Sequence, residues 1–240
     1  MQALLAPGRV LRIGHRGAPF LAPENTLPSC RAAVAAGVDL VEIDVTALPD
    51  GTLVVAHSVD DARAPETPTL DEALAFFAEE ATEVGVHLDL KADARAGELA
   101  GRITAHGLGS RCVVSSTSGA ALRAFRTAGP GIAAGLTYPH DRHGISGRHG
   151  AAPLVAVGLR ALRLTAAIRL PRLARSAGAS AVFLQHAVVS PVAVRRLHDV
   201  GIAVLAWTVD EPADVLRARA AGVDGIISND PSMLLATLST

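Results

Sequence analysis

Carboxylates alternate with apolar residues in two short segments of this chain. In VEIDV these are Glu42 and Asp44, and in VHLDLK the alternate positions hold His87, Asp89 and Lys91. Because successive side chains of a β-strand point to opposite faces, each segment would place its charges on one face and its Val, Ile and Leu on the other. Three clustered carboxylates repel one another unless a cation lies among them. An all-oxygen set favours a hard divalent ion, Mg²⁺ or Ca²⁺.

Histidines stand at the ends of two further predicted strands. His15 ends VLRIGH and is followed by Arg16, and His57 lies near the end of TLVVAHS. Lys91 is the only lysine among the 22 basic residues. Two imidazoles beside a metal and two cations suit phosphoryl transfer, in which one imidazole takes a proton, the other gives one, and the cations hold the phosphate. The alternative is a buried salt-bridge network in which the acids pair with Arg16 and Lys91.

Short Val/Ile/Leu-rich runs alternate with Ala-rich helical stretches along the chain, and these elements must position the polar residues. Strands are predicted at 10–15, 40–46, 86–91, 112–116, 132–137, 181–186, 203–208 and 225–228. Helices are predicted at 27–37, 69–81, 97–107, 118–129, 169–178, 190–201 and 211–222. Eight such units in 240 residues predict a (β/α)₈ TIM barrel rather than an open doubly wound sheet. The turn PDGT before TLVVAHS predicts a small β-hairpin extension after the second strand.

Composition narrows the classes of protein to which the chain can belong. A formal net charge of −1 argues against a nucleic-acid partner, and two cysteines cannot form a disulfide framework. We expect one domain over residues 1–240, a cytoplasmic location, no secretory signal and no transmembrane segment.

The stretch 159–175 mixes Arg with Leu at near-helical spacing. We interpret it as a barrel helix whose arginines face water, with peripheral membrane contact as the alternative.

The segment GHRGAPFLAPENTLPSCRAAVAAGVDLVEIDVTALPDGTLVVAHS closely resembles the signature of the glycerophosphodiester phosphodiesterase family, which are TIM-barrel phosphodiesterases. The family pattern contains HRG, PENT, a helix leading to G-[AV]-D, E-x-D-V, DG and V-x-H. The later segments LDLK, VVSS, AWTVD and GIISNDP follow in the family's order. The resemblance therefore extends over nearly the whole chain.

The resemblance implies roles for ten residues. The implied catalytic acid and base are His15 and His57. The implied substrate-binding residues are Arg16, Glu24, Asn25, Lys91 and Trp207. The implied metal ligands are Glu42, Asp44 and Asp89, of which Asp89 stands where the family usually has a glutamate.

The implied activity is metal-dependent hydrolysis of small-molecule glycerophosphodiesters to sn-glycerol 3-phosphate and an alcohol. His/His acid–base catalysis would proceed through a cyclic phosphate intermediate. Many members of the family carry an insertion over the site after the residue matching His57. This insertion is much reduced here, which would leave the entrance to the barrel cavity more open. The alternatives are a lysophospholipase D acting on lysophospholipids, a barrel isomerase or aldolase acting on a phosphosugar, and a non-catalytic barrel that binds a phosphorylated ligand.

Overall fold

Eight parallel β-strands close into a barrel in the computed structural model, which describes residues 8–91, 95–139 and 152–239. The described residues contain nine strands, of which all but β3 form the barrel: β1 (Leu11–Gly14), β2 (Leu40–Ala47), β3 (Leu53–Val55), β4 (Gly85–Leu90), β5 (Cys112–Ser116), β6 (Ala133–Tyr138), β7 (Ala181–Gln185), β8 (Ala203–Trp207) and β9 (Gly225–Ser228). Their order is β1-β9-β8-β7-β6-β5-β4-β2, and pairing of β1 with β2 closes the ring. Strand β3 pairs antiparallel with the end of β2, outside the ring.

Helices separate the strands and surround the barrel. They are α1 (Leu27–Ala35), α2 (Leu70–Glu79), α3 (Ala96–Ala105), α4 (Gly119–Ala128), α5 (Ala152–Ala177), α6 (Pro191–His198), α7 (Pro212–Ala221) and α8 (Pro231–Leu238). Local sequence signals begin several of them. Thr26 caps α1 by accepting a hydrogen bond from the Ser29 amide, and Thr69 forms a capping box with Glu72 at the start of α2.

The alternation in β2 and β4 separates two apolar layers. Val41, Ile43 and Val45 belong to the larger core between the strands and the helices. A smaller apolar cluster fills the barrel interior and includes Ile13, Leu40, Phe183, Leu205 and Ile227. The charged positions of β2 and β4 therefore point into the barrel, as the alternation predicts.

The barrel and the hairpin extension are confirmed, and the open doubly wound sheet is wrong. Two helices differ from the prediction. Helix α5 begins at Ala152, before the helix predicted at 169–178 and before the stretch 159–175 that was interpreted as a barrel helix, and α8 was not predicted. Residues 56–69 join β3 directly to α2 with only one short 3₁₀ turn, which agrees with a reduced insertion. The sequence also predicts an irregular segment from Tyr138 to Ala152, and its residues 140–151, like residues 1–7, lie outside the described residues.

Among the residues that the structure describes, no helix combines the length and the apolar composition needed to cross a membrane. The long helix α5 carries five arginines.

Candidate active site

A cavity of about 310 Å³ opens at the carboxyl ends of the barrel strands. This is the end of a (β/α)₈ barrel at which catalytic residues are found. Eight of the ten residues singled out from the sequence line this cavity: His15, Arg16, Glu42, Asp44, His57, Asp89, Lys91 and Trp207. The remaining two, Glu24 and Asn25, contact members of the cavity wall.

The loop between β1 and α1 folds back tightly and contributes Arg16 to the wall of this cavity. Arg16 and Asn25 both have positive φ, at 50° and 58°, and Gly17 lies between them in sequence at 87°. A Cβ atom at Gly17 would lie 2.4 Å from Ser29 Oγ, and one at Gly14 would lie 2.3 Å from the Gly17 carbonyl oxygen. The two glycines therefore allow a loop geometry that brings the Arg16 side chain over the strand ends.

Three carboxylates lie together on β2 and β4. Asp44 and Asp89 are direct neighbours in the register of the two strands, and Glu42 precedes Asp44 by one inward position. One oxygen from each of the three lies within 4.8 Å of the others, and all three residues are buried. Buried like charges this close require compensating cations.

Asp44 is the centre of this compensation. Lys91 Nζ lies 2.8 Å from Asp44 Oδ1, and Arg16 Nε lies 3.0 Å from Oδ2 as an ion pair without an aligned hydrogen bond. Asn25 binds Asp44 twice, donating from Nδ2 to the carboxylate and accepting from the backbone amide, both at 3.1 Å. Burial alone would raise the pKa of Asp44. The hydrogen bond with His57 and the charges of Lys91 and Arg16 outweigh burial and lower that pKa.

Glu42 shows the opposite balance. Its burial, together with the charges of Asp44 and Asp89, raises the pKa of Glu42 well above the usual range. The Arg16 backbone amide donates to Glu42 Oε2 at 2.7 Å, and Lys91 also favours the ionised form, but neither compensates fully. The neighbouring positive charges are therefore too few to balance the three carboxylates when all of them are ionised.

Asp89 is held by groups that the sequence analysis did not assign to the site. Ser115 Oγ donates to Asp89 Oδ1, and Thr137 Oγ1 donates to the same oxygen at 3.2 Å. His87 Nε2 lies 2.8 Å from Ser115 Oγ, and the His87 ring stacks on Phe183 with centroids 4.0 Å apart. Lys91 contacts the other carboxylate oxygen of Asp89. The residues Ser115 and Thr137 lie on β5 and β6, and their inward positions were the only sequence signal that could have identified them.

His15 is oriented by a second network that sequence reasoning missed. Asp210 accepts hydrogen bonds from the Asn229 backbone amide at 2.8 Å and from its side-chain Nδ2 at 2.7 Å. This orientation presents Asn229 Oδ1 to His15 Nδ1, 2.7 Å away. The Nδ1–H of His15 therefore donates to Asn229, which leaves Nε2 free to accept a proton. Burial lowers the pKa of His15 despite the Asn229 hydrogen bond.

His57 lies beside Asp44 and is about half-exposed. Its Nδ1 is within hydrogen-bonding distance of both Asp44 Oδ2, at 3.1 Å, and Arg16 Nη2, at 2.9 Å. Glu24 accepts a hydrogen bond from Arg16 Nη1 at 2.7 Å and so fixes the far side of that guanidinium. Because Nδ1 is engaged, His57 has Nε2 available for chemistry in the cavity.

Trp207 and Phe183 form an apolar wall of the cavity. The indole Nε1 of Trp207 donates to the Phe183 carbonyl at 3.0 Å, which fixes the ring at the rim of β8. The cavity thus has charged groups on one side and aromatic surface on the other.

The donor set fits a divalent cation. The three clustered carboxylates offer only oxygen atoms, and the raised pKa of Glu42 indicates a local shortage of positive charge. These properties match the oxygen ligands that Mg²⁺ and Ca²⁺ prefer.

Comparison with protein families identifies relatives over nearly the whole chain. The model of the glycerophosphoryl diester phosphodiesterase family matches residues 15–74 and, in an overlapping match, residues 60–233. The glycerophosphodiester phosphodiesterase of Caldanaerobacter subterraneus subsp. tengcongensis is 27% identical over 260 aligned positions, covering 95% of this chain and 97% of that protein.

Solved structures agree with the observed architecture. A putative glycerophosphoryl diester phosphodiesterase from Silicibacter pomeroyi superposes with a TM-score of 0.78 at 25% identity, covering 99% of this chain and 96% of that one. An Oleispira antarctica phosphodiesterase, solved in complex with the product sn-glycerol-3-phosphate, superposes with a TM-score of 0.73 at 19% identity, covering 100% and 99% of the two chains. The second likeness concerns the fold alone.

Proposed function

This chain belongs to the glycerophosphoryl diester phosphodiesterase family, and from that premise we propose how its cavity works. The proposed reaction is the hydrolysis of a glycerophosphodiester to sn-glycerol 3-phosphate and an alcohol. The observation that carries the proposal is the convergence of two histidines, two cations and three carboxylates on one cavity. The product bound in the Oleispira antarctica relative supports the substrate class.

A divalent cation, Mg²⁺ or Ca²⁺, is the proposed cofactor, held by Glu42, Asp44 and Asp89. When bound, it supplies positive charge that polarises a phosphoryl oxygen and balances the three carboxylates. Asp89 is one methylene shorter than glutamate, and its hydrogen bonds to Ser115 and Thr137 hold it in the cluster. Arg16 and Lys91 are the proposed phosphate-binding cations because both already lie against Asp44 at the cavity floor.

His15 is the proposed general base of the first step. Its Nε2 carries the free lone pair, and a lowered pKa keeps the ring neutral near pH 7. His15 would accept the proton of the glycerol 2-hydroxyl as that oxygen attacks phosphorus. His57 is the proposed acid, which donates a proton to the departing alcohol oxygen from Nε2.

The product of that step is a cyclic glycerol phosphate together with the free alcohol. In the second step water attacks phosphorus and opens the ring, one histidine taking the proton of the water and the other protonating the 2-oxygen. The net reaction consumes one water molecule and regenerates both histidines. Trp207 and Phe183 would border the glycerol or the alcohol group with apolar surface.

The decisive experiment measures release of glycerol 3-phosphate from glycerophosphocholine and glycerophosphoethanolamine by chelator-treated protein, with Mg²⁺ or Ca²⁺ added back. We expect release only with added metal. His15→Ala and His57→Ala should each reduce turnover by about 10²–10⁴-fold, the usual contribution of general acid–base catalysis, while substrate binding measured by calorimetry is retained.

Two other outcomes would contradict this proposal. If glycerol 3-phosphate is not released with any ion, but choline is released from lysophosphatidylcholine, the protein is a lysophospholipase D. The short connection 56–69 beside the cavity entrance is the feature that favours this second candidate. Binding of glycerol 3-phosphate without turnover of any diester would identify a barrel that only binds phosphorylated ligands.

A further inference from the structure

Helix α5 has two apolar faces. Leu159, Leu162, Ala166, Leu170 and Ala174 pack against the core between the helices and the barrel. On the opposite side, Val157, Leu164 and Ile168 are 62%, 82% and 70% exposed. Their spacing of seven and four residues places them in one stripe at 3.6 residues per turn. The outward stripe has no covering element among the described residues.

Arginines border this stripe without acidic partners. Helix α5 carries Arg160, Arg163, Arg169, Arg172 and Arg175 and contains no Asp or Glu. Within the described ranges none of these five forms an ion pair; Arg163 alone has a hydrogen bond, to the Ala187 carbonyl oxygen. By contrast, Arg31 on α1 pairs with Glu80, and Arg102 on α3 pairs with Asp71.

The absence of acids extends well beyond the helix. Residues 142–198 include nine arginines and no aspartate or glutamate, although the whole chain has a formal net charge of −1. The positive charge is therefore concentrated on one part of the sequence, and α5 is the longest helix within it. A helix lying in a lipid interface has this composition, with an apolar stripe flanked by arginines.

We propose that the outward face of α5, defined by Val157, Leu164, Ile168 and the flanking arginines, docks on an anionic phospholipid surface. The apolar stripe would enter the boundary between head groups and acyl chains, and the guanidinium groups would contact lipid phosphates. Such docking places the enzyme at a membrane, as a property separate from the proposed hydrolysis.

A second copy of this chain is a poor occupant of the same face. A twofold-symmetric contact would set the arginines of one α5 against those of the other, because the helix has no acidic residue to pair with them. The arginines of α5 are complemented by an anionic surface. The exposed apolar stripe beside them needs an apolar phase next to those anions. A phospholipid bilayer supplies both.

Vesicle co-sedimentation of the full chain tests this proposal. We expect binding to vesicles of phosphatidylcholine with phosphatidylglycerol and little binding to phosphatidylcholine alone. Removing three arginines, as Arg160→Gln/Arg172→Gln/Arg175→Gln, should weaken binding on the order of 100-fold, at about fivefold for each basic residue near the surface. The pair Leu164→Ser/Ile168→Ser should weaken it by ~10-fold while leaving its salt dependence in place.

A matched control replaces an exposed leucine and arginine on another helix, as Leu216→Ser/Arg219→Gln on α7, where Leu216 is 49% exposed. This variant should bind vesicles like the parent chain. Thermal unfolding followed by circular dichroism establishes that each variant is folded. Raising the salt from ~0.1 to ~1 M shortens the screening length from about 10 to about 3 Å and should release the parent chain.

Three results would overturn the proposal. One is equal binding to both vesicle types, and another is no binding to either. The third is a concentration-dependent dimer in solution that the Leu164→Ser/Ile168→Ser pair dissociates, which would assign the stripe to self-association. The hydrolysis of water-soluble diesters by the α5 variants reports separately on the proposed function, because none of these residues lines the catalytic cavity.

Discussion

The two sides of the barrel interior differ sharply in composition. On the acidic side, β2 and β4 carry Glu42, Asp44 and Asp89 inward. On the apolar side, β7, β8 and β9 fill the interior with Phe183, Leu205 and Ile227. The acidic cluster is buried, and burial is the largest cause of the raised pKa of Glu42. We therefore expect activity to depend most on the acidic side and stability most on the apolar side, as substitutions on each side can test.

The largest expected effect is on the acidic side, from Glu42→Gln. This change should reduce diester hydrolysis by at least ~10³-fold, about 4 kcal/mol, because a proposed metal ligand is lost. The unfolding temperature should stay the same or rise, because the site already disfavours the charged form of Glu42 and glutamine keeps an acceptor for the Arg16 amide. Steady-state kinetics and calorimetry check both statements. Retained activity in Glu42→Gln would remove this residue from the metal site.

The reciprocal change on the apolar side is Leu205→Ala. Leu205 is fully buried in the barrel interior, and its truncation should reduce the free energy of unfolding by about 3 kcal/mol through lost contacts and a cavity. The unfolding temperature should fall by roughly 10 °C for a chain of this size. Below that temperature kcat/KM should change by only a few-fold. A loss of activity as large as that of Glu42→Gln would mean that the two sides are not separable.

Two neighbouring serines of β5, Ser115 and Ser116, allow a comparison within one strand, because only Ser115 donates a hydrogen bond to Asp89. Ser115→Ala removes the hydroxyl that donates to Asp89, a proposed metal ligand, and metal affinity should fall by about 10–100-fold, the usual effect of losing an outer contact to a ligand. Ser116 is the matched control, since its hydroxyl donates to the Leu90 carbonyl instead. Ser116→Ala should leave metal affinity unchanged in isothermal titration. Equal losses in both variants would indicate a general effect on β5.

The smallest expected effect comes from Asn229→Ala at the end of β9. Without the amide, His15 Nδ1 loses its acceptor and the imidazole can adopt the other tautomer. We expect kcat to fall by ~10-fold, about 1.4 kcal/mol, with KM changed little, because Asn229 orients the proposed base His15 and is not one of the proposed phosphate-binding residues. The low-pH limb of the kcat profile should shift to lower pH, because the Asn229 hydrogen bond raises the pKa of His15 and its loss lowers that pKa. A change confined to KM would instead place Asn229 against the substrate.

Local alternation and motif order predicted much of the fold and of the site. The eight barrel strands lie within two residues of their predicted ends, and the inward positions of Glu42, Asp44 and Asp89 follow from the period of a strand. The prediction failed for the start of α5, which lies before the Arg/Leu stretch interpreted as a helix from residue 159, and for α8, which has only a short sequence signal.

The sequence by itself determined which side chains enter the barrel, because the face of a strand to which a residue points depends only on its neighbours in the chain. The partners of those side chains were decided by tertiary structure. Ser115 reaches Asp89 across one strand pair, and Asn229 reaches His15 only because β9 returns beside β1. The outward stripe of α5 is likewise defined only once its other face has packed on the core. Contacts between distant segments depend on barrel closure and strand register, which no short stretch of sequence contains.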